Sequence, residues 1–150
     1  MLEVQIVPYQ NWKEVLNIFR YTEFNRIKKD CFKSSGYICS ECGENGIDQG
    51  FEHKVECVLI WKFDDNRKIQ KLINVKCLCP KCAGAVNSYH PFNIPRDIIE
   101  QIRKVNYSKH PEETGNLLAI NMIKQACKNF LNRSEEEYTI DIEWIKSMKG

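Results

Sequence analysis

Two pairs of cysteines with the same spacing are the residues of this chain best suited to chemistry. Cys39 and Cys42, followed by Gly43, form the first knuckle, and Cys79 and Cys82 form the second. A Cys-x-x-Cys turn wraps backbone N–H groups around its two thiolates, so each knuckle supplies half of a tetrahedral metal site. Because two halves saturate a four-coordinate ion, the sequence predicts one structural Zn²⁺ held by all four thiolates.

Other uses of the same sulfurs stay open from spacing alone. An iron site of the rubredoxin type shares the spacing, and two disulfides would form in an oxidising compartment. A redox-active Cys-x-x-Cys is expected beside a βαβ pattern, which neither knuckle has. The other four cysteines are scattered among apolar residues: Cys31, Cys57, Cys77 and Cys127. Cys77 is interpreted as a small core residue, while Cys77 and, less favourably, Cys31 are alternative donors to the metal.

Length and composition favour one compact domain over residues 1–150. The chain has 150 residues and is 43% hydrophobic, which suits a modest core. Its first residues contain no basic stretch and no long apolar run, so neither secretion nor membrane insertion is expected. The sequence therefore predicts a reducing cytoplasm, where thiolates remain available for metal.

Charge gives little support to nucleic-acid binding. Lys and Arg total 22 against 20 acidic residues, a net charge of +2, and the two signs are interleaved. Since phosphate neutralisation drives non-specific nucleic-acid binding, this balance weakens that hypothesis without removing it. Folding would have to gather six lysines on one side to make a basic face: Lys28, Lys29, Lys33, Lys54, Lys68 and Lys71.

The N-terminal and central elements follow from hydrophobic periodicity. In residues 1–35, an apolar strand or extended arm ending at Pro8 precedes a helix with Asn11 as its N-cap. In residues 36–90, the runs 55–63 and 69–78 alternate around a polar turn and predict a β-hairpin between the knuckles. A helix is expected to begin at Pro80, and Trp61 is expected to be buried against the helices after the second knuckle.

The C-terminal part, residues 91–150, is predicted to be mainly helical. A short helix follows Pro95, a longer one runs from Pro111 to about Leu131, and residues 138–142 predict a short strand. The core stripe predicted for the longer helix comprises Leu117, Ile120, Ile123, Cys127, Phe130 and Leu131. Knuckle, hairpin, knuckle and helix together predict an α+β fold with a zinc-stabilised ββα-metal core and flanking helices.

These motifs jointly resemble the HNH-endonuclease-like proteins of bacteria and phages that carry a four-cysteine zinc site. The matching segments are Cys39-x-x-Cys42-Gly43, Val55-Glu56-Cys57, Trp61-Lys62-Phe63-Asp64-Asp65, Ile69-Gln70-Lys71-Leu72 and Leu78-Cys79-Pro80-x-Cys82. The resemblance covers most of the chain from about residue 25 to residue 148. It implies a groove in which a histidine base and a bound divalent ion act on a phosphodiester.

The residues that such catalysis requires are replaced in this chain. Relative to the family pattern, Val58 takes the place of its histidine, Leu59 that of its glutamate, and Ala83 that of the histidine after the second knuckle. None of these side chains transfers a proton or binds a metal ion. The chain is therefore expected to lack nuclease activity.

Histidines elsewhere in the sequence are candidates to restore nuclease activity. His53, Glu56 and His90 are the candidates for an active site with rearranged ligands, and His110 precedes a helix. Each histidine also has a plain interpretation as a loop or turn residue, and only geometry distinguishes the two.

The function predicted from the sequence is recognition by a catalytically degenerate HNH-like zinc protein. A protein partner is favoured, as for a phage or mobile-element factor that binds or inhibits a host protein. The alternatives are a nucleic-acid-binding protein and a metal-dependent nuclease with rearranged ligands.

Overall fold

A computed structural model describes residues 1–19, 21–87 and 93–147, and these ranges contain six helices and three strands. In chain order they are α1 (Tyr9–Ile18), α2 (Tyr21–Ser35), β1 (Glu56–Asp64), β2 (Ile69–Leu78), α3 (Pro80–Val86), α4 (Arg96–Asn106), α5 (Glu112–Arg133), β3 (Thr139–Asp141) and α6 (Trp144–Ser147). The predicted mixed α+β class is confirmed. None of the helices in these ranges has the length and hydropathy needed to cross a bilayer.

The predicted hairpin is confirmed almost to the residue. β1 and β2 pair antiparallel, with Glu56 opposite Leu78 and Asp64 opposite Ile69. At the turn, the Arg67 N–H donates to Asp64 Oδ1 at 3.0 Å, as expected for an aspartate that opens a turn. β3 then adds in parallel to the start of β2, so the strand predicted over residues 138–142 is also present but shorter.

Both faces of this small sheet are buried. Val58 and Leu78 lie in a cluster with residues of α3, α4 and α5, which we call the α5-side cluster. Leu59, Trp61 and Leu72 lie in a second cluster with residues of α1, α2 and α6, the α1-side cluster. From Val58 to Trp61, the side chains of β1 therefore alternate between two cores, which explains the apolar sequence of this stretch.

Trp61 shows that its burial could be predicted from the sequence but not the face of the sheet on which it lies. Its predicted burial is confirmed, with 6% of its surface exposed. The predicted partners are only partly confirmed: Trp61 shares its cluster mainly with Val15, Phe19 and Ile27 of the N-terminal part and, of the helices after the second knuckle, with α6 but not with α3, α4 or α5. A residue on a strand buried on both sides carries no local signal for the layer it faces.

The N-terminal segment is an extended arm that lies across the α5 side of the sheet. Leu2 and Ile6 belong to the α5-side cluster. The Gln5 side chain donates to the Leu59 carbonyl at 2.6 Å and accepts from the Trp61 N–H at 3.0 Å. This amide thereby holds the β-bulge at which the register of the hairpin shifts between Ile60 and Trp61.

One helix prediction is wrong and another is only partly confirmed. Asn11 is not an N-cap, because α1 begins at Tyr9 after Pro8 and places Asn11 inside the helix, where its Nδ2 donates to Gln70 Oε1 at 2.9 Å. The predicted stripe of α5 is only partly confirmed: Ile123 and Cys127 are buried, whereas Leu117 and Leu131 are 62% and 60% exposed. Three small residues outside the predicted stripe complete the buried face: Gly115, Ala119 and Ala126. Small side chains let α5 approach α4 closely, and a Cβ on Gly115 would lie 2.8 Å from the Arg103 side chain.

Candidate metal centre

The four knuckle cysteines meet where the hairpin joins α3. Their Sγ atoms all lie within 4.8 Å of one another, and this is the one group of metal-ligating side chains of its kind in the described ranges. Cys39 is 2% exposed, Cys79 and Cys82 are fully buried, and Cys42 is half-buried. These four thiols form a group able to hold one metal ion.

The first knuckle is shaped by its own backbone. The Cys42 N–H points at Cys39 Sγ at 3.5 Å, and the Gly43 N–H donates to the Cys39 carbonyl at 3.0 Å. This turn brings Gly43 to φ +76°, a conformation that glycine adopts at little cost. The knuckle is also tied to β2, because the Ser40 N–H donates to the Cys77 carbonyl at 2.9 Å.

The second knuckle is the first turn of α3. Cys79 is the N-cap, and its sulfur accepts from the Cys82 N–H at 3.4 Å. Pro80 follows at the first helical position, where its missing N–H costs no hydrogen bond. The predicted start of a helix at the second knuckle is confirmed, and the helix N-terminus favours negative charge on the thiolates.

Two glutamine side chains surround the thiols, and sequence reasoning did not find them. Gln101 of α4 donates from Nε2 to Cys82 Sγ at 3.1 Å, and Gln49 donates from Nε2 to Cys79 Sγ at 3.4 Å. Such donors orient metal ligands and stabilise their charge. Neither glutamine stands at a distinctive spacing from its cysteine, so the sequence offers no signal for this contact.

The distances suit a tetrahedral four-sulfur site. A Zn–S bond of about 2.3 Å implies sulfur atoms about 3.8 Å apart at the corners of a tetrahedron. Cys42 Sγ and Cys79 Sγ, one from each knuckle, are 3.6 Å apart. The donor set of four soft sulfurs is typical of zinc or of a mononuclear iron site.

The thiols constrain one another's ionisation. A hydrogen bond from the Cys82 thiol lowers the pKa of Cys39 to about 4, and the same bond, with burial, raises the pKa of Cys82. Burial raises the pKa of Cys42 to about 12. Several thiolates in so small a volume repel one another, and a divalent cation removes this conflict.

The loop after the first knuckle packs closely against the second. A Cβ on Gly46 would collide with the His53 carbonyl oxygen and lie 2.7 Å from the Pro80 ring. The Gly46 N–H donates to the Lys54 carbonyl at 2.6 Å, which closes this loop ahead of β1. Glycine at this position therefore allows the two knuckles to approach each other.

The residues proposed for catalysis do not form a comparable group. His53 Nε2 lies 3.3 Å from Glu56 Oε1, but both side chains are largely exposed and no further ligand joins them in the part of the chain that the structure describes. His90 falls outside the described residues. His110 packs edge-on against the Tyr107 ring and lies on the surface.

The positions that replace the family's catalytic residues are apolar and buried. Val58 and Ala83 lie in the α5-side cluster, whereas Leu59 faces the α1-side cluster. Cys31 and Cys77, the alternative metal donors, are not members of the four-thiol group. The alternative in which either of them replaces a knuckle thiol is not supported.

Comparison with known proteins identifies no relative of this chain. The chain matches no protein-family model, no curated protein and no solved structure. The resemblance to HNH-like proteins therefore depends on the motif residues alone.

Proposed function

We propose that this chain is a zinc-stabilised, catalytically inactive domain of the HNH-like ββα-metal type that acts by binding another protein. One observation carries the proposal: apolar side chains fill the space between the hairpin and α3. Val58 of β1 and Ala83 of α3 are buried in one cluster with Leu2 and Ile6 of the N-terminal arm. A phosphodiester and its attacking water would have to enter a space that these side chains occupy.

The role proposed for the metal is structural. Four thiolates close a tetrahedral site and leave no position for water or substrate, unlike the three-ligand sites of catalytic zinc. Zinc is proposed over iron because it requires no redox partner and is the ion most often held by paired Cys-x-x-Cys turns. The ion would fix the segment between the knuckles relative to α3.

The proposed recognition surface is the knuckle loop, which we define as residues 37–51. Four large apolar side chains on this loop are between 43% and 49% exposed: Tyr37, Ile38, Ile47 and Phe51. Other strongly exposed leucines lie singly on helices, as Leu16 does on α1 and Leu117 on α5. A concentration of exposed apolar side chains on one ordered loop is typical of an interaction site.

The charge of the knuckle loop favours a protein partner over nucleic acid. The loop contains Glu41, Glu44 and Asp48 but no Lys or Arg. Lys76 pairs with Glu41 at 2.7 Å, whereas Glu44 and Asp48 are exposed. Such a surface repels phosphates and suits a partner that offers apolar and basic groups.

Loss of binding by a loop variant tests the recognition surface. The double variant Ile47→Ser, Phe51→Ser should no longer capture the partner that the wild-type chain captures from its native host. The control is Leu117→Ser, Leu131→Ser, which removes two apolar side chains of α5 that are more exposed than those of the loop, and this variant should capture the partner as the wild type does. Retained capture by the loop variant, with an intact metal content, would disprove this surface.

A cleavage assay distinguishes the proposal from its enzymatic alternative. The wild-type protein should leave plasmid DNA and structured RNA intact with Mg²⁺, Mn²⁺ or Ni²⁺. Cleavage by the wild type that both His53→Ala and Glu56→Ala abolish, with zinc still bound, would establish a nuclease with rearranged ligands. Binding of intact nucleic acid that weakens with salt would favour the nucleic-acid alternative.

A further inference from the structure

A cavity between α4 and α5 contains two arginines that lack an acidic partner. The cavity has a volume of about 480 Å³, and its lining includes Arg96 and Arg103 of α4 and Asn116 of α5. The two arginines are about two helical turns apart, so they lie on the same side of α4. Within residues 1–19, 21–87 and 93–147, neither arginine belongs to an ion pair.

The side chain of Arg103 is fixed by its packing against α5. Its stem crosses that helix at Gly115, where a Cβ would lie 2.8 Å from Arg103 Cγ and 3.2 Å from Arg103 Cδ. Arg103 Nε is buried, and no acceptor for its hydrogen lies in the part of the chain that the structure describes. A buried donor on a charged group is costly when it has no acceptor, so this N–H indicates a place where an external acceptor is favourable.

Two glutamates of the lining limit the charge of such an acceptor. Glu100 pairs with Lys104 at 2.7 Å, and Glu112 forms no ion pair with either arginine of the cavity. The two negative side chains of the lining balance the two positive ones. A ligand with a single negative charge therefore fits this cavity better than phosphate does, because each further negative charge adds repulsion from the glutamates.

The rest of the lining suits a ligand that also has an apolar part. Three isoleucines contribute to the wall: Ile94, Ile99 and Ile120. A cavity of this size, with apolar walls and a few polar groups, is typical of small-molecule sites. The planar guanidinium of arginine matches the two oxygens of a carboxylate, with which it forms parallel hydrogen bonds.

We propose that the cavity between α4 and α5 binds a monocarboxylate with a short apolar chain. The carboxylate accepts hydrogen bonds from Arg103, including its Nε–H, and is attracted by the charge of Arg96, while the apolar chain contacts the isoleucines. This site is formed by α4, α5 and the residues just before α4, and it includes no residue of the knuckle loop. Small-molecule binding here is therefore a property additional to the recognition of a protein partner.

Titration with hexanoate, followed by NMR, tests the proposal on the zinc-loaded wild-type protein. Hexanoate should shift the Nε–H signal of Arg103 in a saturable manner, because that hydrogen gains an acceptor. Hexanamide, which has the same chain without the charge, should leave the signal in place, and phosphate should bind more weakly than hexanoate. The proposal is overturned if hexanamide shifts the signal as hexanoate does, or if phosphate binds more tightly.

Variants of the two arginines provide the second measurement. Arg103→Met keeps an apolar stem beside Gly115 but removes the guanidinium, and Arg96→Met changes an exposed position. Each should weaken hexanoate binding at least about 10-fold, as read from the backbone amide signals of α5. The control Arg26→Met, at an exposed position of α2, should bind hexanoate as the wild type does. Wild-type affinity in either cavity variant, with an unchanged circular dichroism spectrum, would overturn the proposal.

Discussion

The amide of Gln101 is the clearest support that a single residue gives to the metal centre. Its hydrogen bond to Cys82 Sγ is 3.1 Å long and comes from α4, outside both knuckles. We expect Gln101→Leu to weaken zinc binding about 10- to 100-fold, because loss of an outer donor leaves the thiolate less stabilised. Competition against a chromophoric chelator measures the change.

The control for Gln101 is a glutamine that does not touch the site. Gln125 of α5 is exposed and donates to Asn129 at 3.0 Å. Gln125→Leu should leave zinc affinity at the wild-type value. Equal affinities for wild type, Gln101→Leu and Gln125→Leu would show that the contact with Cys82 has no energetic role.

The buried hydrogen bond between Asn11 and Gln70 leads to a second prediction about single residues. Asn11→Ala leaves Gln70 Oε1 without its donor in a buried setting and should cost about 1–3 kcal/mol of the free energy of unfolding. Asn17→Ala, at an exposed position of the same helix, should cost much less. Denaturant unfolding followed by circular dichroism compares the two, and equal losses would contradict the role given to the pair.

Sequence reasoning found residues whose partners are encoded by spacing and missed those whose partners are distant. The cysteines of each knuckle are three positions apart, so their meeting could be predicted. Asn11 carries the side chain of a helix cap, but the helix begins earlier, directly after Pro8, and the partner of Asn11 is Gln70 on β2. Nothing in the sequence near residue 11 indicates a partner 59 positions away.

Among the elements, α5 is attached at its C-terminal end to the turn of the hairpin. Arg133 donates from Nε and Nη2 to the two oxygens of Asp65 at 2.7 and 2.9 Å, and the Tyr138 hydroxyl donates to Asp65 Oδ1 at 2.6 Å. The guanidinium also lies 4.0 Å over the Phe63 ring. Hydrogen bonds from Arg133 and Tyr138 hold the pKa of Asp65 at about 2, below its usual 3.8.

This attachment should depend on pH in a defined window. Since the pKa of Asp65 is lower in the folded than in the unfolded state, its contribution to stability is complete above about pH 4 and is lost as pH falls toward 2. The stability difference between wild type and Asp65→Asn should therefore shrink across this range. Asp48→Asn, at an exposed aspartate of the knuckle loop, is the control, and a difference that stayed constant to pH 2 would contradict the assignment.

Trp61 connects the sheet to the N-terminal helices. Trp61→Ala should cost about 3–5 kcal/mol, because it empties a large volume in the α1-side cluster. Hydrogen exchange should accelerate mainly in α1 and α2, on the side that Trp61 faces. Equal acceleration in α4 and α5 would contradict the assignment of Trp61 to the α1-side cluster. The control Leu117→Ala, at an exposed site, should change neither the free energy of unfolding nor the exchange rates.

The elements themselves were more predictable than their packing. The hairpin and the helices starting at residues 80, 96 and 112 follow from alternation and from proline positions. The layer that each strand residue faces did not follow, because both faces of β1 are apolar. The bulge adds a further difficulty: one extra residue at Ile73 changes which side the later residues of β2 face.

For the molecule as a whole, metal removal should affect one side of the sheet first. Cys39, Cys79 and Cys82 are themselves members of the α5-side cluster. Chelation, or the substitution Cys82→Ser, should lower the unfolding midpoint and expose this cluster, because structural zinc contributes folding free energy directly. Cys127→Ser, in the same cluster but outside the site, should retain zinc.

Calorimetry with metal analysis checks this prediction. The apo protein should unfold at a lower temperature than the zinc-loaded protein and regain its midpoint when zinc is restored. An unchanged midpoint and an unchanged circular dichroism spectrum after complete metal removal would show that the four thiols have no structural function.

The N-terminal arm has a consequence for the order of events during synthesis. Leu2 donates its N–H to Asn106 Oδ1 and accepts from Asn106 Nδ2, both at 2.7 Å, across 104 positions of sequence. A ribosome releases the arm long before it releases α4. The apolar side chains of Leu2 and Ile6 therefore lack their final partners while the hairpin and both knuckles emerge. During this interval the exposed apolar side chains of the arm are prone to wrong association, which a holding chaperone would prevent.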